Sequence, residues 1–174
     1  ASMNQVEYFG RGPAENYLDR NAGSMVGLYK STAEELYFPY VRPQENGHHT
    51  DTRWVSLSTG KKGLLIQADN TIGFNALRNS IEDFDDEEAT GLSRQWSNFT
   101  PEQVANHDEA AAKNVLRRQH HINDITPCDF VEVCVDLKQQ GVAGYDSWGS
   151  RPEPAYTLPA NREYNWGFTL IPLK

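Results

Sequence analysis

The sequence has no apolar run near the length that crosses a membrane, and it contains only two cysteines. Positive charge is also scarce, since 16 Lys and Arg residues stand against 24 Asp and Glu residues. The net charge is −8 at pH 7, and the basic residues are scattered along the chain. These features argue against nucleic acid or an anionic membrane surface as a partner. The N-terminus lacks the basic, apolar and small-residue succession of a secretion signal, so we expect none.

The two cysteines are too far apart to form a disulfide with each other. Cys128 and Cys134 lie in the segment 128–135, which has the composition of a strand. On one strand they would be about 20 Å apart, whereas a disulfide requires Cα atoms within about 7 Å. Two free thiols suit a reducing compartment.

The hydrophobic pattern predicts a mainly β protein with antiparallel sheets. Apolar and polar residues alternate in the last segment, where Trp166, Phe168 and Leu170 share one face. A chain of 174 residues is one domain or part of a larger one, and no strand–helix alternation indicates a doubly wound fold. The predicted strands cover residues 6–9, 25–29, 53–57, 64–68, 130–137 and 164–171.

One helix is predicted, near residues 101–115. Thr100 is a capping residue, Pro101 stands at the first helical position and Gln103 completes a capping box. The acidic stretch 81–88 precedes it and has the composition of a solvated surface loop.

The sequence shows few signs of a catalytic site or of a metal-binding site. The acidic stretch offers carboxylates, but glycoside hydrolysis needs two held about 5 to 9 Å apart, one with a raised pKa. We expect the histidines to be surface or hydrogen-bonded residues, because neighbours on a strand point to opposite faces and no zinc-ligand spacing occurs. No nucleophile elbow or phosphate loop is present. The histidines are His48, His49, His107, His120 and His121.

The segment 10–13 is predicted to form a turn. Charged residues of this turn and of the residues that follow it could form a partly buried ion network that fixes the turn to the sheet, which would be a structural role. The members of that network would be Arg11, Glu15, Asp19 and Arg20.

The glycine-rich segment 141–149 is predicted to be a loop that carries Trp148. Its three glycines permit unusual backbone angles, and Asp146 and Ser147 can hydrogen-bond the nearby backbone. A Trp on such a loop is either a plug for the core or a platform for a ligand with an apolar face, such as a sugar.

Three segments together resemble the C-terminal domain of the lactase-type β-galactosidases of glycoside hydrolase family 2. They are VEYFGRGPAENYLDR at 6–20, PYVRPQENG at 39–47 and GVAGYDSW at 141–148. In some bacteria the same region is the small chain of a two-chain enzyme. The resemblance implies that residues 1–174 are a single domain, and it covers nearly the whole chain except residues 80–118, which have the character of an insertion.

The resemblance implies a fold and a parent enzyme. The fold is an antiparallel β-sandwich, or supersandwich, of the galactose-mutarotase-like kind, of which this chain holds the later part. The parent enzyme would be a homo-oligomer of the cytoplasm or periplasm that serves lactose catabolism. It would cleave terminal β-D-galactose residues with retention of configuration.

The resemblance also implies that this chain is not catalytic. The catalytic glutamates and the magnesium and sodium ligands of the family belong to a barrel domain outside this sequence. We therefore expect no catalytic residue, metal ligand or cofactor in this chain. Trp148 matches the family's aromatic residue that reaches into the barrel's active site and contacts the sugar, and Tyr145 departs from the family's acid or glycine.

Two other functions remain alternatives. The first is an autonomous galactose-binding module that uses Trp148 together with Trp54 or Trp96. The second is an aldose mutarotase, which would need a carboxylate and a histidine, either His120 or His121, in one cleft.

Overall fold

The computed structural model describes residues 3–41, 44–84, 122–146 and 148–174. Within these ranges the chain forms six strands, and its helical segments are short 3₁₀ turns. The strands are β1 (Gln5–Gly12), β2 (Met25–Thr32), β3 (His49–Ser58), β4 (Gly63–Leu77), β5 (Glu132–Asp136) and β6 (Phe168–Leu173). The prediction of a mainly antiparallel β structure of the sandwich type is confirmed.

All six strands belong to one antiparallel sheet, ordered β2-β1-β3-β4-β5. The long strand β4 organises one end of it. Its first part pairs with β6 and its last part with β5, so these two short strands follow each other along the same edge of β4. The loop that carries Trp148 lies between β5 and β6 in the chain.

One face of the sheet carries the core. The period-two alternation of β1 buries Val6 and Tyr8, while Phe9 remains 38% exposed on the other face. Val55 and Leu57 of β3 are buried as well. This alternation fixes the register, because a slip of one residue would expose the whole apolar set.

Aromatic rings meet at the centre of this core. The ring of Tyr8 lies 5.3 Å from Tyr29, 4.8 Å from His49 and 5.1 Å from Phe74, measured between centroids. Burial raises the pKa of the Tyr8 phenol. The hydroxyl donates to the carbonyl of Pro13 at 3.3 Å, so the core holds the turn after β1 through this tyrosine.

The strands differ in extent from the prediction: β1 to β4 are longer than predicted, and β5 and β6 are shorter. The segment predicted at 130–137 narrows to β5, which begins at Glu132, so Cys128 precedes the strand and donates its N–H to the carbonyl of Arg78. The last strand begins at Phe168 rather than at 164, and its pairing with β4 starts where Phe168 lies opposite Ala68. Both cysteines are free thiols, as predicted.

The chain divides into two compact units. The first comprises residues 1–38, 46–79 and 128–174 and contains the sheet. The second comprises 39–45 and 80–127; its described part includes two 3₁₀ turns, Ile81–Phe84 and Ile122–Asp124. The helix near 101–115 and the second half of the acidic stretch, residues 85–88, lie outside the described residues, and the insertion at 80–118 stays a prediction.

Candidate functional site

The loop after β5 presents one aromatic side chain almost entirely to solvent. Trp148 is 94% exposed, the largest value for any described large apolar residue. Its indole is therefore not a plug for the core. An exposed indole on a loop is available to contact a ligand or a neighbouring domain.

Hydrogen bonds between residues close in sequence fix the backbone at the tip of this loop. The carboxylate of Asp146 accepts the N–H of Trp148 at 2.7 Å, which is the local bond predicted for Asp146. The hydroxyl of Ser150 accepts the N–H of Tyr145 at 3.1 Å. Gly144 and Gly149 both have φ of +84°, which a glycine adopts without steric cost. Ser147 lies outside the described residues.

The base of the loop is held by a residue from the segment after β1. The two carboxylate oxygens of Asp19 accept the N–H groups of Val142 at 3.1 Å and Ala143 at 2.8 Å. Ala143 has a left-handed backbone with φ of +55°. Gly141 is buried and donates its own N–H to the carbonyl of Tyr156 at 2.8 Å.

The predicted ion network of the segment 10–20 is wrong as a single cluster. Arg11 pairs with Asp51 of β3 at 2.5 Å instead. Arg20 pairs with Glu15 at 2.5 Å, which agrees with part of the prediction. Asp19 takes backbone N–H groups as its partners. The difference arises because the turn brings the segment against β3 and the distant loop, whose sequence positions gave no sign of this proximity.

Glu15 links the segment 6–20 to the segment 39–47, two of the three segments that carry the family resemblance. Its carboxylate accepts the N–H of Gly47 at 2.7 Å, and its side chain is only 3% exposed. Asn46, which is 1% exposed, accepts the N–H of Phe38 at 3.0 Å. Asp19 binds the third of these segments, 141–148. The carboxylates of Glu15 and Asp19 therefore join parts of all three segments.

Asn16 ties the segment that contains Glu15 and Asp19 to the first residues of β3. Its side chain is fully buried and accepts both the N–H and the hydroxyl of Thr50, at 3.0 and 2.6 Å. Its amide donates to the carbonyls of Arg11 and Ala14, both at 3.1 Å. Its backbone N–H donates to the carbonyl of His48 at 2.7 Å. The segment that bears Asp19 is thus fastened to the start of β3.

The prediction that the histidines are surface or hydrogen-bonded is wrong for His48, whose two ring nitrogens are buried with no hydrogen-bond partner among the described residues. It holds for His49, whose Nδ1 lies 3.5 Å from the amide nitrogen of Asn16. His48 and His49 are 0% and 1% exposed, because β3 begins in the core. Burial lowers the pKa of each to about 4, so both rings are neutral at pH 7. His48 stacks on Tyr17 with centroids 5.5 Å apart, and Gly73 gives its ring room. His107, His120 and His121 lie outside the described residues.

The strand that leads into the loop ends with a half-buried carboxylate. Burial raises the pKa of Asp136 at the end of β5. A retaining glycosidase needs a second carboxylate about 5 Å from such a group. Asp136 is opposite Gly73 on β4, so the neighbouring strand supplies no carboxylate at that position.

The residues invoked by the alternative functions are only partly described. Trp54 is half-buried on β3 and pairs across the sheet with Phe9 and Gln67. Trp96, His120 and His121 lie outside the described residues. Within the described ranges, no three His, Cys, Asp or Glu side chains cluster as metal ligands would. No helix in these ranges has the length and apolar character needed to span a membrane.

Comparison with known proteins gives a consistent family. A family model described as the beta galactosidase small chain matches residues 1–170. A β-galactosidase of Priestia megaterium is 34% identical over 174 residues, which is 99% of this chain and 14% of that protein. A β-galactosidase of Streptococcus thermophilus is 28% identical over 175 aligned residues, again 99% of this chain and 14% of its own length.

A third relative matches less of the chain at higher identity. A β-galactosidase of Arthrobacter sp. strain B7 is 38% identical over 89 residues, or 48% of this chain and 9% of that protein. The chain therefore spans about one seventh of the length of the first two relatives, at 14% of each.

Proposed function

The chain belongs to the β-galactosidase small-chain family, and from this premise we propose that it is the non-catalytic C-terminal part of a retaining β-galactosidase of glycoside hydrolase family 2. The parent enzyme hydrolyses terminal β-D-galactose residues of lactose-like substrates. Its two catalytic carboxylates belong to a barrel domain outside this chain. The chain contributes Trp148 to the sugar-binding wall of that active site.

The main support for the proposal is that the ring of Trp148 is exposed to solvent while its backbone is held by hydrogen bonds. The indole is 94% exposed, while its N–H is held by Asp146 and the loop base is held by Asp19. A purely structural Trp is ordinarily buried. A ring that is presented to solvent on a fixed backbone is suited to receive a flat apolar surface such as one face of a pyranose ring.

The energy available from this contact sets the scale of the effect. An indole that covers about 50 to 80 Å² of sugar C–H surface contributes about 1 to 2 kcal/mol, at about 25 cal/mol/Å². This corresponds to roughly a tenfold change in affinity. Such a contact is too weak to bind a sugar alone, but it biases a site whose polar groups come from another domain.

The direct test is Trp148→Ala in the complete enzyme. We expect KM for lactose to rise about tenfold, mainly through the leaving sugar, while kcat changes little because the catalytic carboxylates are untouched. Trp148→Phe should recover part of the loss, since a smaller ring keeps part of the stacking area.

Trp166→Ala is the matched control. Trp166 is also an exposed indole, at 46%, but it lies just before β6 and contacts Phe168. We expect its KM for lactose to stay within twofold of wild type, a change below about 0.5 kcal/mol. Unchanged KM and kcat in Trp148→Ala would contradict the proposal.

A second test uses the 174-residue chain alone. We expect no release of nitrophenol from a nitrophenyl galactoside and no measurable heat on titration with galactose or lactose. Turnover by the pure chain would contradict its non-catalytic role. Millimolar or tighter galactose binding would favour an autonomous binding module.

A further inference from the structure

We propose that Asp19 is a positioning residue for Trp148, acting through the backbone at the base of the loop. This inference rests on the proposed role of Trp148 in sugar binding. It assigns a function in substrate recognition to a residue 129 positions before the indole, since 148 − 19 = 129.

The segment that carries Asp19 is itself rigidly held. Asp19 lies in a turn closed by a hydrogen bond from the N–H of Arg20 to the carbonyl of Tyr17, at 2.8 Å. Tyr17 is 2% exposed, and Asn16 beside it is fully buried and bonded to Thr50. The Asp19 carboxylate therefore occupies a fixed point against which the loop is placed.

Two successive N–H groups of the loop converge on this carboxylate. Val142 and Ala143 donate to Oδ1 and Oδ2, respectively. The carboxylate receives both N–H groups directly before the left-handed backbone turn at Ala143, so it is bound where the chain enters the loop. Hydrogen bonds to a carboxylate are stronger than those between neutral groups. Loss of the carboxylate removes the anion that stabilises this backbone shape.

Gly141 also lies close to the carboxylate of Asp19. A Cβ atom at position 141 would lie 2.5 Å from Oδ2 of Asp19, closer than such atoms approach. Only glycine allows the carboxylate to come this near. The close packing at 141 and the two hydrogen bonds at 142 and 143 are independent signs that the loop base is built around Asp19.

The position of the indole depends on this base. Because the ring is 94% exposed, packing against the described residues hardly restrains it. Its place is instead set by the backbone path from Ala143 through the Asp146 turn. Release of the base therefore moves the ring without disturbing the sheet, and a displacement of about 1 Å is enough to weaken a positioned contact.

The experiment is a double-mutant cycle in the complete enzyme, with Asp19→Ala, Trp148→Ala and the double variant. We expect Asp19→Ala to raise KM for lactose by about three- to tenfold and to leave kcat within about twofold. In the Trp148→Ala background the same change should add less than about twofold, because the indole it positions is gone.

Two further variants separate positioning from general damage. Gly141→Ala pushes on the Asp19 carboxylate from the loop side and should reproduce the KM increase. Asp19→Asn keeps one acceptor oxygen and should fall between wild type and Asp19→Ala. Asp129→Ala removes an exposed carboxylate elsewhere in the chain and should leave KM unchanged. Thermal unfolding of each variant checks folding, and Asp19→Asn replaces Asp19→Ala in the cycle if the alanine variant does not fold.

The outcomes distinguish the two proposals. If Trp148→Ala raises KM but Asp19→Ala does not, the positioning role is wrong and the sugar-binding role of Trp148 stands. A full additional KM increase from Asp19→Ala in the Trp148→Ala background also overturns the positioning role. If Trp148→Ala itself has no effect on KM, both fail.

Discussion

The start of β3 and the loop after β5 are held by the same kind of hydrogen bond, but one region buries its side chains and the other exposes a large ring. Both hold backbone N–H groups with side-chain oxygens, from Asn16 in the first region and from Asp19 in the second. At the start of β3 the polar residues themselves are buried, including His48 and His49. In the loop the backbone is fixed while the large ring of Trp148 stays in solvent.

Under the proposed function, this contrast separates residues that stabilise the fold from a residue that contacts the substrate. Buried polar groups that are hydrogen-bonded define one conformation, and their removal leaves partners unsatisfied in the core. An exposed ring contributes little to folding, and its contact area is available to a ligand. We therefore expect substitutions in the first region to change the free energy of unfolding, and substitutions at Trp148 to change KM.

The largest expected effect on stability comes from Asn16→Ala. It leaves the N–H and hydroxyl of Thr50 without their acceptor, together with two carbonyls that received the amide. We expect the free energy of unfolding to fall by about 3 to 5 kcal/mol, measured by urea denaturation. Asn165→Ala, an exposed amide that bonds Glu163, is the control. Equal effects of the two variants would contradict the comparison.

The next effect is a loss of stability on acidification. The folded pKa values of His48 and His49 are about 4, below the usual 6.5, so protons bind the unfolded chain more readily. The contribution of these rings to stability is complete above pH 6.5 and is lost as the pH falls toward 4. We expect a decrease of a few kcal/mol over this window.

Urea denaturation between pH 7 and pH 5 measures this effect before most carboxylates titrate. Imidazole resonances of His48 and His49 should keep their neutral positions down to pH 5 in the folded protein. A ring that titrates near pH 6.5 in the folded state would show that the start of β3 is open to water.

A smaller effect is expected from Gly47→Ala. Gly47 has φ of +75°, and a Cβ atom there would lie 2.9 Å from a methyl carbon of Leu77. We expect a loss of about 2 to 3 kcal/mol from backbone strain and crowding. Gly23→Ala is the matched control, because nothing lies within 4 Å of its added Cβ, and it should change stability by less than about 0.5 kcal/mol.

The smallest effect on stability is expected at Trp148 itself. Because the ring is 94% exposed, Trp148→Ala should change the unfolding free energy of the isolated chain by less than about 0.5 kcal/mol. A loss above about 2 kcal/mol in urea denaturation would place the ring in a structural role and remove the contrast with the start of β3.

Local patterns predicted where the six strands and the loop lie in the chain, but not the lengths of the strands. The alternation of Val6 and Tyr8, and of Val55 and Leu57, identifies strands because a pleated sheet has a period of two residues. The glycines around Trp148 identify a loop because they tolerate positive φ. The bond from Asp146 to the N–H of Trp148 spans two residues and could be expected from the sequence.

Long-range contacts were not predictable in the same way. Asp19 and Val142 are 123 residues apart, and nothing local marks a carboxylate as the partner of a distant backbone. Nothing in the sequence around His48 and His49 predicts that both rings are buried. They are buried because Tyr17 and Tyr8 supply flat rings beside them, which no spacing rule reveals.

The central claim is that the indole of Trp148 contacts the sugar in the complete enzyme. Fluorine NMR of enzyme labelled with 5-fluorotryptophan tests it directly, with the resonance assigned through Trp148→Phe. On saturation with a non-hydrolysable galactoside, we expect the Trp148 resonance to shift while those of Trp54 and Trp166 stay in place. A saturated enzyme whose Trp148 resonance does not move would contradict it.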